Sequence, residues 1–311
     1  MSYLMGRLLS ALPVMAVVAV VVFLLIHLSP GDPAALIAGD LATGEDIEKL
    51  RVALGLDLPL WQQFLVWFGK LVTGDLGVSI FSQVPVTQLL AQRLEPTLSI
   101  AALTMALTLL VALPLGTLAA HRAGSWIDRL VMLFAVLAFS VPVFLVGYLL
   151  VYGFAIRLPW FPVQGYARLA DGAGPWLRSL VLPCVTLALV YIALVTRMTR
   201  ATVLEALHED YIRTARAKGL GVLPVLLQAL HNAAVPIATT VGMGIALLIG
   251  GVVVTETVFA IAGVGRLVVD SVQRHDYPVI QSVLLISAGV YVLINLLIDL
   301  SYRFLDPRIQ Y

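Results

Sequence analysis

Glu205, Glu209, Asp210, Arg213, Arg216 and Lys218 fall within fourteen residues, in a chain of 311 residues of which only 12% are charged. Side chains of this kind at this density suit ion pairing and hydrogen bonding to another macromolecule. Bond-making chemistry needs other sets, and the sequence lacks their patterns. A phosphate-cradling loop needs spaced glycines closed by Lys and Ser/Thr; the nearest match, Gly69-Lys70, is followed by Leu71 and has no earlier glycine. Neither His-Glu-x-x-His nor Gly-x-Ser-x-Gly occurs. Cys184 is the one cysteine. It has no metal-ligand spacing around it and reads as a small packed residue beside Pro183. The residues point to no catalytic set and no metal site.

The charged cluster carries helix punctuation. Asp210 suits an N-cap, Arg216 and Lys218 the last turn, and Gly219 the left-handed position beyond it. This predicts a helix of about two turns, ~12 Å long. So short a helix is marginal in water and needs something to dock against, and Thr214, Ala215 and Ala217 are small enough for close approach. The alternative is a solvated loop.

Six long apolar runs surround this polar stretch, at about 8–28, 98–120, 130–156, 179–196, 236–258 and 279–300. Apolar residues make up 60% of the chain, against roughly 45–50% in soluble domains. Each run is long enough to cross a hydrocarbon core of ~30 Å as a helix. The chain reads as an all-α integral membrane protein with an uncleaved first span (1–28), an extramembrane helical segment (29–97) and a core of five further spans (98–311). Ser29-Pro30-Gly31-Asp32-Pro33 follows the first run where a cleavage site would lie. Placing both termini in the cytoplasm leaves 10 Lys and Arg in 66 inside residues and 9 in 111 outside residues, as the positive-inside rule favours. The longest inside segment is then 197–235, which contains the charged cluster. A net charge of +1 gives no reason to expect a nucleic-acid partner.

Within 29–97, Thr43 and Asp46 form a capping-box pattern for a helix from about 45 to 54, ended by Gly55. A second helix starts near Asp57 and Pro59. Its Leu60, Phe64, Trp67, Phe68 and Leu71 form an apolar side, fit to cover the outer ends of the spans or to lie along the interface. In the fifth span Ala238, Gly242, Ala246 and Gly250 lie four apart. Such a stripe lets helix backbones approach, within this chain or against a second subunit. The middles of the spans after the first carry no Asp, Glu, Lys, Arg or His. A proton-driven carrier needs such a group, so any work must come from a partner. A carrier using sodium and backbone carbonyls stays open.

Asp210-Tyr-Ile-Arg-Thr-Ala-Arg-Ala-Lys-Gly219 with Pro236 resembles the cytoplasmic coupling loop of binding-protein-dependent ABC importer permeases. More narrowly, the chain is similar to the dipeptide/oligopeptide/nickel (glutathione) group, first-permease type. Leu28-Ser-Pro-Gly-Asp-Pro33, Gly74-Asp-Leu-Gly77 with Ser79, Pro96-Thr97-Leu98, Ser140-Val-Pro142, Thr255-Glu-Thr-Val-Phe259, Gly263-Val-Gly265-Arg266 and Asp276-Tyr-Pro278 carry the same resemblance from end to end. It implies a type I ABC importer transmembrane domain in a bacterial inner membrane, paired with a second homologous permease. Two cytoplasmic ABC ATPases would hold ATP and Mg, and a periplasmic substrate-binding protein would deliver cargo. This chain would bind no cofactor. The cargo implied is a di- or oligopeptide, with glutathione or nickel chelates as alternatives. The resemblance assigns ATPase coupling to Glu205, Glu209, Asp210, Tyr211, Arg213, Thr214, Ala215, Lys218 and Gly219, and periplasmic docking to Gly263, Gly265 and Arg266. Arg213 departs from the wider superfamily's frequent Glu, so Glu205, Glu209 or Asp210 would supply the acidic contact. Ala262 stands where the group often has Pro.

Overall fold

The computed structural model describes residues 2–28, 33–38, 43–53 and 55–305, and among them the backbone is helical nearly throughout. The Ser29-Pro30-Gly31-Asp32 stretch lies outside the described residues. In chain order the helices are α1 (Ser2–Leu28), α2 (Pro33–Ala38), α3 (Gly44–Ala53), α4 (Leu60–Val72), α5 (Val86–His121), α6 (Trp126–Ser140), α7 (Val143–Leu150), α8 (Ala173–Ala206), α9 (Asp210–Ala217), α10 (Val222–Asn232), α11 (Ala234–Val258), α12 (Val264–Gln273) and α13 (Tyr277–Leu305). Contacts group them into two compact units: Met1–Leu94 with Leu267–Val292, and Glu95–Arg266 with Leu293–Tyr311.

In the first unit, α3 opens as its capping pattern predicts. Thr43 N donates to Asp46 Oδ2 at 3.1 Å, and Asp46 N donates to Thr43 Oγ1 at 3.3 Å. That exchange holds the Asp46 carboxyl below the usual carboxylate range, chiefly through the Thr43 hydroxyl. Helix α4 packs on α1, with the Phe23 ring 5.3 Å from Phe64 and 5.6 Å from Trp67. Ser79 Oγ donates to Asp276 Oδ2, and Ile80 N donates to Asp276 Oδ1 at 3.1 Å. This ties the loop after α4 to the start of α13.

In the second unit α8 is the hub. Its apolar stretch is 72% buried, against 11–28% for the other four continuous spans. Those spans therefore leave most of their surface uncovered by this chain, while α8 is wrapped by α6, α7, α10 and α11. The unit has two apolar clusters along α8. Ile100, Leu180, Leu187, Tyr191, Val252 and Phe259 belong to one. Ala112, Ile192, Val195, Val203, Ile212 and Val225 belong to the other.

The third span departs from the expected single helix over 130–156. It is two segments, Trp126–Ser140 and Val143–Arg157, bent by 100°. Pro142 accounts for the break: it has no N–H to donate and it disfavours a helical conformation at Val141, which is extended (φ −86°, ψ 128°). The outer arm ends in a π-helical stretch, Val151–Arg157.

Candidate functional site

Helix α8 runs out of the apolar region and ends at Ala206, and three residues later α9 begins. His208 Nδ1 lies 2.7 Å from Leu204 O and so carries the donated proton. Backbone bonds from Leu207, His208 and Glu209 return to Val203, Glu205 and Ala206. The last carbonyls of α8 are thus satisfied within the joint itself, which fixes the angle at which α9 leaves.

Helix α9 has the two turns that its punctuation predicts, but its N-cap is Glu209, which makes no side-chain cap bond. Asp210 is already helical. Its carboxylate turns to Arg213 Nη1 at 3.3 Å instead of to a backbone amide. At the other end Gly219 takes φ +79°, with Gly219 N bonded to Arg216 O (3.0 Å) and Leu220 N to Ala215 O (3.2 Å). This is a Schellman closure, and the left-handed φ selects glycine although the space around it is open.

What orders this short helix is its inner face. Ile212 is fully buried and Ala215 nearly so, in the apolar cluster that holds Val203, Ala206, Val225 and Ala229. Of the small residues read as an approach surface, Ala215 is therefore spent on packing within the chain. Tyr211, Arg213, Thr214, Ala217 and Lys218 remain exposed, as do Glu205 and Glu209. Two concavities flank them. One, of about 740 Å³, is lined by Tyr211, Thr214, Lys218, Leu227, Gln228 and His231. The other, of about 610 Å³, is lined by Thr202, Glu205, Glu209, Tyr211 and Pro236. Tyr211 and Asn232 border both. The surface is suited to receiving protruding side chains.

Helix α10 adds a part that sequence reasoning missed. Val225 and Ala229 face inward, leaving Val222, Leu223 and Leu227 at 59%, 67% and 57% exposure. The spacing of Leu223 and Leu227, one turn apart and off the buried face, was the available signal.

Elsewhere, the residues read as a periplasmic docking patch prove to have inward work. Gly263 and Gly265 are buried against Glu256, and a Cβ at Gly263 would collide with its carboxylate. Thr97 Oγ1 donates to Glu256 Oε1 at 2.5 Å, Arg266 N to Oε2 at 2.9 Å, and Val264 N to Thr97 Oγ1 at 2.8 Å. Only Arg266 of the three is partly open to a docking partner. The small-residue stripe is also divided. Gly242 packs beneath Ile298 of α13, whereas Gly250 is exposed with open space beside it. Ala238 and Gly242 line an apolar groove of about 410 Å³, and Ala246 is half-buried. A further pair was not legible. Arg200 Nε and Nη2 donate to Asp128 Oδ1 and Oδ2 at 2.5 and 2.7 Å, and Gly124 N donates to Oδ2 at 2.9 Å. This clamps the start of α6 to the polar end of α8.

Comparison with known proteins agrees with this architecture. Residues 112–311 match the family described as binding-protein-dependent transport system inner membrane component. Residues 1–101 match its N-terminal companion family. A probable peptide ABC transporter permease protein of Sinorhizobium fredii is 51% identical over 310 residues, 99% of either chain. A putative peptide transport system permease protein of Brucella abortus is 45% identical over all of this chain and 99% of its own. The glutathione transport system permease protein GsiC of Escherichia coli is 41% identical over the same shares. Among solved structures, a chain of the MetNI methionine ABC transporter in inward facing conformations superposes with a TM-score of 0.57 at 18% identity, covering 71% of this chain and 97% of that one; the likeness is one of fold. Fold and sequence together place this multi-pass chain in the family of binding-protein-dependent transport system inner membrane components.

Proposed function

We propose that this chain forms, with a second homologous permease, the path by which an ATP-driven importer takes di- or oligopeptides across the bacterial inner membrane. A periplasmic binding protein would deliver the cargo. Two cytoplasmic ATPases, holding ATP and Mg, would act on the surface formed by α9 and α10. The observation that carries this reading is the anchoring of α9. Ile212 and Ala215 sit in the same apolar cluster as Ile192, Val195 and Val203 of α8. A push on exposed Tyr211, Thr214 or Lys218 is therefore delivered to the most buried helix of the second unit. Close-packed interiors transmit such displacements without absorbing them. Closure of the ATPases would then bias the permease pair between inward- and outward-facing states. Peptide cargo is supported by the likeness to the peptide transport permeases of Sinorhizobium fredii and Brucella abortus.

Gly219→Val tests the coupling role. Valine is strained at φ +79°, and the closure of α9 fails while the spans are untouched. In proteoliposomes containing the full transporter, uptake should fall by about tenfold or more, the effect of a ~1.4 kcal/mol loss, while ATP hydrolysis continues. Uptake at the parental rate ends the assignment.

The relative GsiC favours a second cargo, glutathione, itself a modified tripeptide. Uptake of labelled dipeptide with and without excess glutathione, using the cognate binding protein, decides between the two.

A further inference from the structure

We propose that α4, assigned by composition to the extramembrane segment, is sunk into the outer leaflet, and that phospholipid acyl chains cover its outward face.

Two rulers give its depth. The apolar run of α1 ends at Leu28. Phe23, which touches the rings of Phe64 and Trp67, lies five residues before that end, about 7–8 Å into the membrane at 1.5 Å per residue. Trp67 and Leu71 pack against a cluster of Ala19, Val22 and Leu285. Leu285 is eight residues into α13 from Tyr277, about 12 Å along the second ruler. The C-terminal turn of α4 is thus at roughly 10 Å depth, well inside the outer half of a ~30 Å core.

The outward face fits that position. Trp61, Leu65, Phe68 and Val72 follow one another at helical spacing with exposures of 62%, 58%, 39% and 70%. Helix α1, on which α4 packs, likewise exposes Val14, Val17 and Val21.

The backbone at the end of α4 is compatible with that depth, since its last carbonyls are satisfied locally, as lipid requires and as also occurs at helix ends in water. Here Gly69 O accepts from Thr73 N (3.2 Å) and Thr73 Oγ1 (3.2 Å). Lys70 O accepts from Thr73 Oγ1 (2.8 Å) and Asp75 N (2.9 Å). Leu71 O accepts from Gly74 N (3.0 Å). The one charge on the helix, Lys70, lines a small cavity shared with His27 and Gly55, toward the outer end of α1. Its stem can carry the ammonium to the headgroups.

Spin-label accessibility tests the proposal in the complete transporter, held in nanodiscs of phosphatidylethanolamine and phosphatidylglycerol. Leu65→Cys and Val72→Cys are read separately in a Cys184→Ala background, with Lys49→Cys on α3 as the aqueous control. Both α4 labels should be relaxed by oxygen and shielded from a water-soluble nickel chelate. The ratio should be higher at position 72 than at 65, and reversed at 49. Access of the nickel chelate to both α4 positions places the helix in water. Exclusion of both reagents from both positions means protein, such as the second permease, covers the face. Either result overturns the proposal.

Discussion

Glu256 is a carboxylate at the end of an apolar helix with no exposure at all, and it is tolerable there because Thr97 and the amide of Arg266 are aimed at it. Gly263→Ala puts a methyl group where the carboxylate sits, and should cost about 1–3 kcal/mol through overpacking. Glu256→Gln keeps the volume and one acceptor oxygen, and should cost nearer 1 kcal/mol. Thermal unfolding of the solubilised transporter ranks the two. The Asp128–Arg200 clamp behaves differently. Arg200→Ala leaves Asp128, 6% exposed, buried without its partner, a loss of about 3–5 kcal/mol. Removing both partners should cost less than that single change, and a double-mutant cycle in denaturant measures the difference. At α9, Ile212→Ala should weaken the anchoring of the helix by about 2–5 kcal/mol. Hydrogen exchange of the amides from 212 to 217 should then speed up while those of α8 stay protected.

Elements were more legible in the sequence than residue pairs, and the reasons are physical. Thr43 with Asp46, and Gly219 after a basic turn, are signals held within four residues, so a linear reading finds them. The spans follow from apolar runs that nothing else in the chain imitates. Thr97 and Glu256 are 159 residues apart, Asp128 and Arg200 are 72 apart, and Ser79 and Asp276 are 197 apart. No periodicity links such partners, and each charge alone resembles an interfacial residue at a span end. The bent third span fails for another reason: hydropathy stays high through Val141 and Pro142, so a sliding average cannot register a change of direction. The backbone restriction at a residue before proline was the signal, and length outweighed it. The bend itself can be measured. An unbroken helix would put Leu130 and Tyr152 about 33 Å apart, and a 100° turn at the break shortens this to roughly 21 Å. Paired spin labels at these two exposed positions should report the shorter distance, and Pro142→Ala should shift the distribution toward the longer one.

At the scale of the whole molecule, the chain divides its labour between spans bare of charge at their centres and a polar surface at one end of α8. The purified chain alone in liposomes should move no peptide, with or without ATP, and tracer flux measurements check this directly. The position of Glu256 also bears on how the chain is made. After Thr97 leaves the ribosome, another 159 residues must be translated before Glu256 follows. At about 5–20 residues per second that interval is roughly 8–32 s. Throughout it the Glu256 carboxylate that receives the Thr97 hydroxyl in the folded chain has not yet been made. When Glu256 does arrive, it has no glycine cradle until seven more residues emerge. The Thr97–Glu256–Gly263 contact is therefore completed only late in synthesis, when most of the chain has already been made.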